Sequence, residues 1–162
     1  MDSEKTIRIA QLRDQCEKIL DTAIPYRMIA VEEVSNIGLK EMFIIKSPRV
    51  VHPIVLEVLK AVFILLGEPD ENLTWEYIRK SLYDSYKLFK AMLDFYFDQS
   101  LPETIKERIY PILFEQNISE EIIKSICIEC LPFYKWALNI VKFSEIIETF
   151  IPLKAEYDSL LA

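Results

Sequence analysis

The apolar positions of this chain repeat most regularly at its two ends. Trp136, Ile140, Phe143, Ile147 and Phe150 follow one another in alternating steps of four and three, the spacing of a coiled-coil seam. Ile151-Pro152 intervenes, and the seam resumes at Leu153, Tyr157 and Leu160. Near the N-terminus Ile9, Leu12, Cys16, Ile19, Ala23, Tyr26 and Ala30 keep the same steps, with Arg8, Arg13, Asp14, Glu17 and Lys18 on the other faces. This pattern predicts one long helix over about residues 4–37. Pro25 inside it removes a backbone donor and predicts a local kink. Two long helices, each with one proline in its seam, are expected to pair antiparallel. If Pro25 and Pro152 lie side by side, Cys16 falls opposite Leu160 or Leu161. The second helix also carries apolar residues for two registers, because both Ile146 and Ile147 bridge Phe143 to Phe150.

The chain between these ends reads as a series of short helices. Gly38 breaks the first long helix, and residues 39–45 predict a short one. Pro48 and Pro53 bound a loop, since a residue preceding proline is pushed out of the helical region. Residues 54–66 are apolar on nearly every face and predict a central helix, started by Pro53 and stopped by Gly67. Thr74 is placed to cap a helix over 75–83. Residues 86–97 predict the next, with Leu88, Phe89, Met92, Leu93 and Tyr96 at helical spacing. Another runs over 103–115 with a bend at Pro111. Ser119 caps a final helix expected to continue through Trp136, with Pro132 as an irregularity. The fold class is therefore all-α: a small helical bundle head (38–135) on an antiparallel two-helix coiled-coil stalk (1–37 and 136–162).

Composition narrows the function. The chain has 162 residues, half of them apolar, with only two glycines and a net charge of -7. An acidic chain of this kind argues against nucleic acid as a partner. The longest apolar stretch, 54–66, is too short for a bilayer, which needs about 20 residues, so no membrane partner is expected. Three cysteines without a leader-like segment suggest a reducing compartment. Cys127 and Cys130 form a C-x-x-C, but Cys16 and the single histidine, His52, stand at unrelated spacing, and no metal site is expected. Gly38 and Gly67 are too far apart for a phosphate-binding loop. No catalytic residue and no cofactor is expected, and the chain reads as a binding module and not an enzyme.

Several dispersed residues carry a resemblance. Pro25 is followed by Ala30, Val34 and Ile37; Lys46-Ser47 precedes a proline-containing loop; Val55 and Leu65-Leu66-Gly67-Glu68 come next; Trp75 precedes Ile78-Arg79. Later stand Cys130, Pro132, Lys135-Trp136, Asn139 to Phe143 and Pro152-Leu153-Lys154. In this order and spacing the chain resembles the distal stalk and microtubule-binding domain of dynein heavy chains over essentially its whole length. The resemblance implies a head that binds tubulin in a microtubule through its first, third and sixth short helices. It further implies a stalk whose helices slide by about half a heptad to relay state to the ATP-driven ring of the rest of the heavy chain. The residues it points to for the microtubule are Lys40, Lys46, Arg79, Lys80, Lys124 and Lys135. For stalk register they are Pro25, Pro152, Cys16, Phe143, Ile146, Ile147 and Phe150. The implied location is the cytoskeleton of the cytoplasm, and the N-I-V-K-F and P-L-K-A stretches look more like axonemal members, which implies a cilium or flagellum.

The chain also departs from that pattern. Many relatives carry a Pro-Pro pair where Val51-His52 stands, and cytoplasmic relatives have two lysines where this chain has Gly38-Leu39. A basic residue common early in the sixth helix falls at Ser125, with Lys124 beside it. Between Gly38 and Ala137 there are 12 Lys and Arg against 15 Asp and Glu. As ordinary solvated charges the six basic residues need no function. A structural helical hairpin whose head docks a protein other than tubulin is the competing reading.

Overall fold

A computed structural model describes residues 2–95 and 100–162. Among these the protein is all-α, with no strand. The helices are α1 (Ser3–Ser35), α2 (Leu39–Lys46), α3 (Pro53–Leu65), α4 (Trp75–Leu82), α5 (Ser85–Leu93), α6 (Glu103–Tyr110), α7 (Glu120–Ile126) and α8 (Leu131–Leu161).

Helices α1 and α8 pack against each other along most of their length. Arg8 of α1 pairs with Glu156 of α8 at 2.8 Å, and Lys142 of α8 lies 5.8 Å from the ring centroid of Tyr26. Residue numbers rise on one helix as they fall on the other, so the pair is antiparallel. Every expected seam position of α1 from Ile9 to Ala30 is buried or half-buried, and Leu12, Ala23 and Ala30 are fully enclosed. On α8, Trp136, Ile140, Phe143 and Ile147 are buried, while Phe150, Leu153, Tyr157 and Leu160 are half-covered. A two-helix seam has only one partner surface, so it encloses less than the bundle does.

The two prolines do not lie side by side. Tyr26, next to Pro25, meets Lys142, and Pro152 lies some ten residues further along α8. The contacts of Arg8 and Tyr26 bracket Cys16, which also feels the charges of Lys154 and Asp158, and put its seam neighbours at Phe150 and Leu153, not at Leu160. The cause is where each helix leaves the bundle. Helix α8 gives its first turns to the core, with Leu131, Phe133, Tyr134, Trp136 and Ala137 all buried. Pro152 therefore stands farther from the bundle than Pro25 does. Helix α1 runs on across Pro25 without interruption.

The bundle is built around α3, whose residues Val58, Leu59 and Ala61 to Leu65 are buried. Each large apolar side chain enclosed there contributes about 1.5–3 kcal/mol relative to exposure. Local chemistry sets its ends. His52 Nδ1 accepts the Ile54 amide at 3.1 Å, Pro53 occupies the first turn, and Gly67 takes φ 94°. The amides of Gly67 and Glu68 return to the carbonyls of Ile64 and Phe63 at 3.0 Å, closing the last turn with the left-handed residue that only glycine adopts without strain.

Three sequence expectations change. The final helix does not run unbroken from Ser119 to Trp136. It stops at Cys127, which is extended, and a 3-10 turn over Ile128–Cys130 leads into α8. Pro132 thus sits in the first turn of α8, where its missing N–H has no helical acceptor to lose. The helix expected over 103–115 gives way at Pro111 to a π turn, Pro111–Glu115. Helix α5 is described to Leu93, and Tyr96 and Phe97 lie outside the described residues.

Candidate protein-binding face

Helix α2 packs against α4 and against the 3-10 turn that follows α7. The elements carrying the six basic candidates therefore adjoin, but the structure divides those residues into two groups with different electrostatics.

The first group surrounds the end of α2. Arg79, half-buried on α4, donates from Nε to the carbonyl of Lys46 at 2.8 Å and from a terminal nitrogen to that of Ser47 at 3.1 Å. These carbonyls belong to the C-terminal end of α2, which has no intrahelical donors left for them and carries partial negative charge. Arg79 thereby fixes where the loop starts. Trp75 Nε1 donates to the Pro48 carbonyl at 3.1 Å, so α4 holds three consecutive carbonyls at the start of that loop. Lys46 Nζ stands 4.5 Å from the centroid of the Tyr83 ring, within cation–π range. Arg49, Trp75, Glu76, Arg79, Lys80 and Tyr83 line an open groove of about 490 Å³. Lys40 is exposed on α2. Here Lys40, Lys46, Arg49, Arg79 and Lys80 stand against Glu41 and Glu76 on the same elements and Glu129 on the adjoining 3-10 turn, and the Glu41 carboxylate also accepts the Gly38 amide at 3.2 Å. An acidic chain thus carries a locally basic surface.

The second group is half neutralised. Lys124 on α7 and Lys135 on α8 both lie 3.3 Å from one carboxylate oxygen of Glu120. Hydrogen bonds from Lys124 and then Lys135 hold the Glu120 carboxyl below its ordinary range. These two lysines offer less free charge to a partner than their number suggests. Glu120, an acid in the first turn of α7, is also favoured by the helix dipole.

The groove was only partly legible in the sequence. Trp75 is not wholly a core anchor: it is half-exposed and lines the groove, whereas Trp136 is fully buried. On sequence alone Arg49, Tyr83 and Phe43 have no role, and Leu39 enters only as a departure from the pattern at Gly38-Leu39. Arg49 has a sequence signal, since it follows Pro48 in a loop that must be on the surface. The register residues divide as well. Phe143, Ile147 and Cys16 are buried, Ile146 and Phe150 half-buried, and Pro25 and Pro152 exposed. Ile146 and Ile147 are thus both at least partly covered. Burial raises the Cys16 thiol pKa, while Lys154 and Asp158 act on it with opposite signs.

The thiols of Cys127 and Cys130 are also pushed up, chiefly by burial, which makes them poor nucleophiles. Among the described residues no group of three or more His, Cys, Asp and Glu is placed to hold a metal ion. No described helix is long and apolar enough to cross a membrane.

No protein-family model matches the chain. It is similar to "Dynein heavy chain-like protein 1" of Plasmodium falciparum, with 29% identity over 163 residues. The alignment takes in 97% of this chain but 3% of that protein, so the chain spans a small segment of its relative's length. The similarity points to a relation with dynein heavy chains and covers the bundle and the α1/α8 pair together.

Proposed function

We propose that the chain is the microtubule-binding stalk tip of a dynein heavy chain. The observation that carries the reading is the extent of the dynein similarity, which takes in nearly all of this chain and a small part of the relative. A bundle joined to an antiparallel helix pair suits a tip on a stalk, with residues 1–37 and 136–162 as the stalk and 38–135 as the head. The basic surface around α2 and α4 suits an acidic partner such as tubulin. On this reading the rest of the heavy chain is the ATP-driven motor and the chain itself is no enzyme. Its place is the cytoskeleton, in the cytoplasm or in the axoneme of a cilium or flagellum.

The double set of apolar residues at Phe143, Ile146, Ile147 and Phe150 would let α8 hold two registers against α1. Affinity for the lattice would then follow the register.

Co-sedimentation with microtubules at low and moderate salt tests the proposal. Binding that weakens as salt rises is expected, because screening shortens to about 8 Å at physiological ionic strength. Lys80→Glu, on the exposed side of the groove, should reduce it severalfold while helicity stays unchanged. Absence of pelleting at either salt would favour a helical hairpin that docks another protein.

A further inference from the structure

Helix α2 buries one side and leaves the other bare. Met42 and Ile45 point into the core, whereas Leu39 is 89% and Phe43 66% exposed. The two exposed side chains stand at i and i+4, so they are neighbours on one face. Lys46 continues the same line one turn on, and its ammonium lies over Tyr83, itself 62% exposed. An apolar stripe therefore runs from Leu39 through Phe43 to the Tyr83 ring. Lys40 flanks it on α2, and Lys80 and Arg49 flank it from the groove. Single exposed apolar residues are ordinary on a protein surface, but adjacent large ones rimmed by charge mark interaction sites. Neither Leu39 nor Phe43 is needed to hold α2, which is anchored by Met42, Ile45 and the clamp from Arg79.

We propose that Leu39 and Phe43 form an apolar contact at the centre of the binding face, fitted to a protein surface with an apolar depression inside an acidic rim. That the surface belongs to the microtubule lattice rests on the function proposed above. The charge around the stripe selects the acidic rim, and the stripe itself requires an apolar counterpart. On that reading, apolar burial at Leu39 and Phe43 adds to the charge attraction from Lys40, Arg49 and Lys80. Burial of this kind is not screened by moderate salt, whereas ion pairing is.

Microtubule co-sedimentation across a salt series tests the inference, using the whole chain, Leu39→Ser, Phe43→Ser and Lys80→Gln. The serine variants should keep wild-type helicity and thermal midpoint, because both positions are exposed. Phe43→Ser should weaken binding about tenfold, the size of a central contact in an interface, and by the same factor at every salt concentration. Leu39→Ser should act in the same direction. Lys80→Gln should lose less and flatten the salt dependence. Wild-type pelleting by both serine variants overturns the apolar contact and leaves the microtubule reading standing. Failure of the unaltered chain to pellet at any salt overturns that reading, and the inferred partner with it.

Discussion

Arg79 donates its Nε hydrogen to the main-chain carbonyl of Lys46, 33 positions earlier in sequence, at 2.8 Å. Two residues read from the sequence as separate surface charges are thus parts of one device. Arg79 fixes the end of α2 from which the Lys46 side chain extends to Tyr83. Charge-assisted hydrogen bonds of this kind are worth about 1.5–3 kcal/mol where well enclosed. Arg79 is half-exposed, so Arg79→Ala should cost about 1–2 kcal/mol in denaturant unfolding. Arg79→Lys should rescue little, because an ammonium lacks the planar fork that reaches two carbonyls. Faster amide exchange in α2 and residues 47–52 should accompany either change. Unaltered stability and exchange would mean that the clamp is incidental.

Phe63 lies near the end of the most buried helix of the bundle. Phe63→Ala should cost about 3–5 kcal/mol, from lost burial and the cavity left behind, which is a large part of a small domain's stability. A loss below about 1 kcal/mol would show that α3 is peripheral.

Helix α6 and the segment before it are fastened to α8 by polar contacts. The Leu101 amide donates to Ser144 Oγ at 2.7 Å in a buried setting, the Tyr110 hydroxyl donates to Glu145 at 2.8 Å, and Lys106 pairs with Glu148. Burial, then the hydrogen bond to Glu145, push the Tyr110 pKa up from 10.0 to about 12. The folded state therefore holds this proton more tightly than the unfolded chain. That contribution is complete below pH 10 and lost as pH rises through about 12. In an ultraviolet titration Tyr110 should ionise late together with Tyr77 and Tyr134, which are also raised, and Tyr110→Phe should shrink that late component by one tyrosine. If the variant titrates with an unchanged late phase, the contact with Glu145 is not formed in solution.

Two carboxylates have the opposite sign. Hydrogen bonds from Lys124 and Lys135 lower Glu120, and a hydrogen bond from Arg8 lowers Glu156. Each favours the folded state above the ordinary carboxyl value of 4.5, and the benefit disappears as pH falls through the lower folded value. The thermal midpoint should hold steady from about pH 6 to 5 and fall below about pH 4. Glu120→Gln should lower the plateau slightly and make the acid fall shallower. An acid limb as steep as wild type would remove Glu120 from this account.

The register of the helix pair is open to cysteine chemistry. Arg8 against Glu156, Tyr26 against Lys142 and the charges of Lys154 and Asp158 on Cys16 put it between Phe150 and Leu153. Phe150→Cys or Leu153→Cys should form a disulfide with Cys16 under mild oxidation, which requires Cα atoms within about 7 Å. Leu160→Cys should not. Efficient coupling at Leu160 and none at Phe150 or Leu153 would mean that another register prevails in solution.

The long helices were legible because their apolar steps persist over many turns, from Ile9 to Ala30 and from Trp136 to Leu160. The caps at Thr74 and Ser119 were legible for a local reason, since each side-chain oxygen accepts an amide three residues on. The break at Cys127 was hidden, because the Ile-Cys-Ile-Glu-Cys stretch keeps a helical apolar pattern while the chain turns there to place Cys130 and Phe133 in the core. The proline offset was hidden because the seam pattern does not say how many turns of α8 the bundle takes. At the candidate face, the basic residues of α2, α4 and α7 were visible as types but not as pairs. Lys124 and Lys135 share Glu120 across elements distant in sequence, and only packing reveals it. The exposure of Leu39 and Phe43 was hidden because an eight-residue helix, apolar on both sides, does not reveal which side faces outward.

The most direct measurement is zero-length carbodiimide cross-linking of the chain on microtubules, with the linked residues mapped by mass spectrometry. The account predicts links from Lys40 and Lys80, and fewer from Lys124 and Lys135, to acidic residues of tubulin. It also predicts none from Lys5 or Lys18 on the exposed faces of α1. Links confined to those stalk lysines, or no links to tubulin at all, would contradict the claim that the bundle meets a microtubule through α2 and α4.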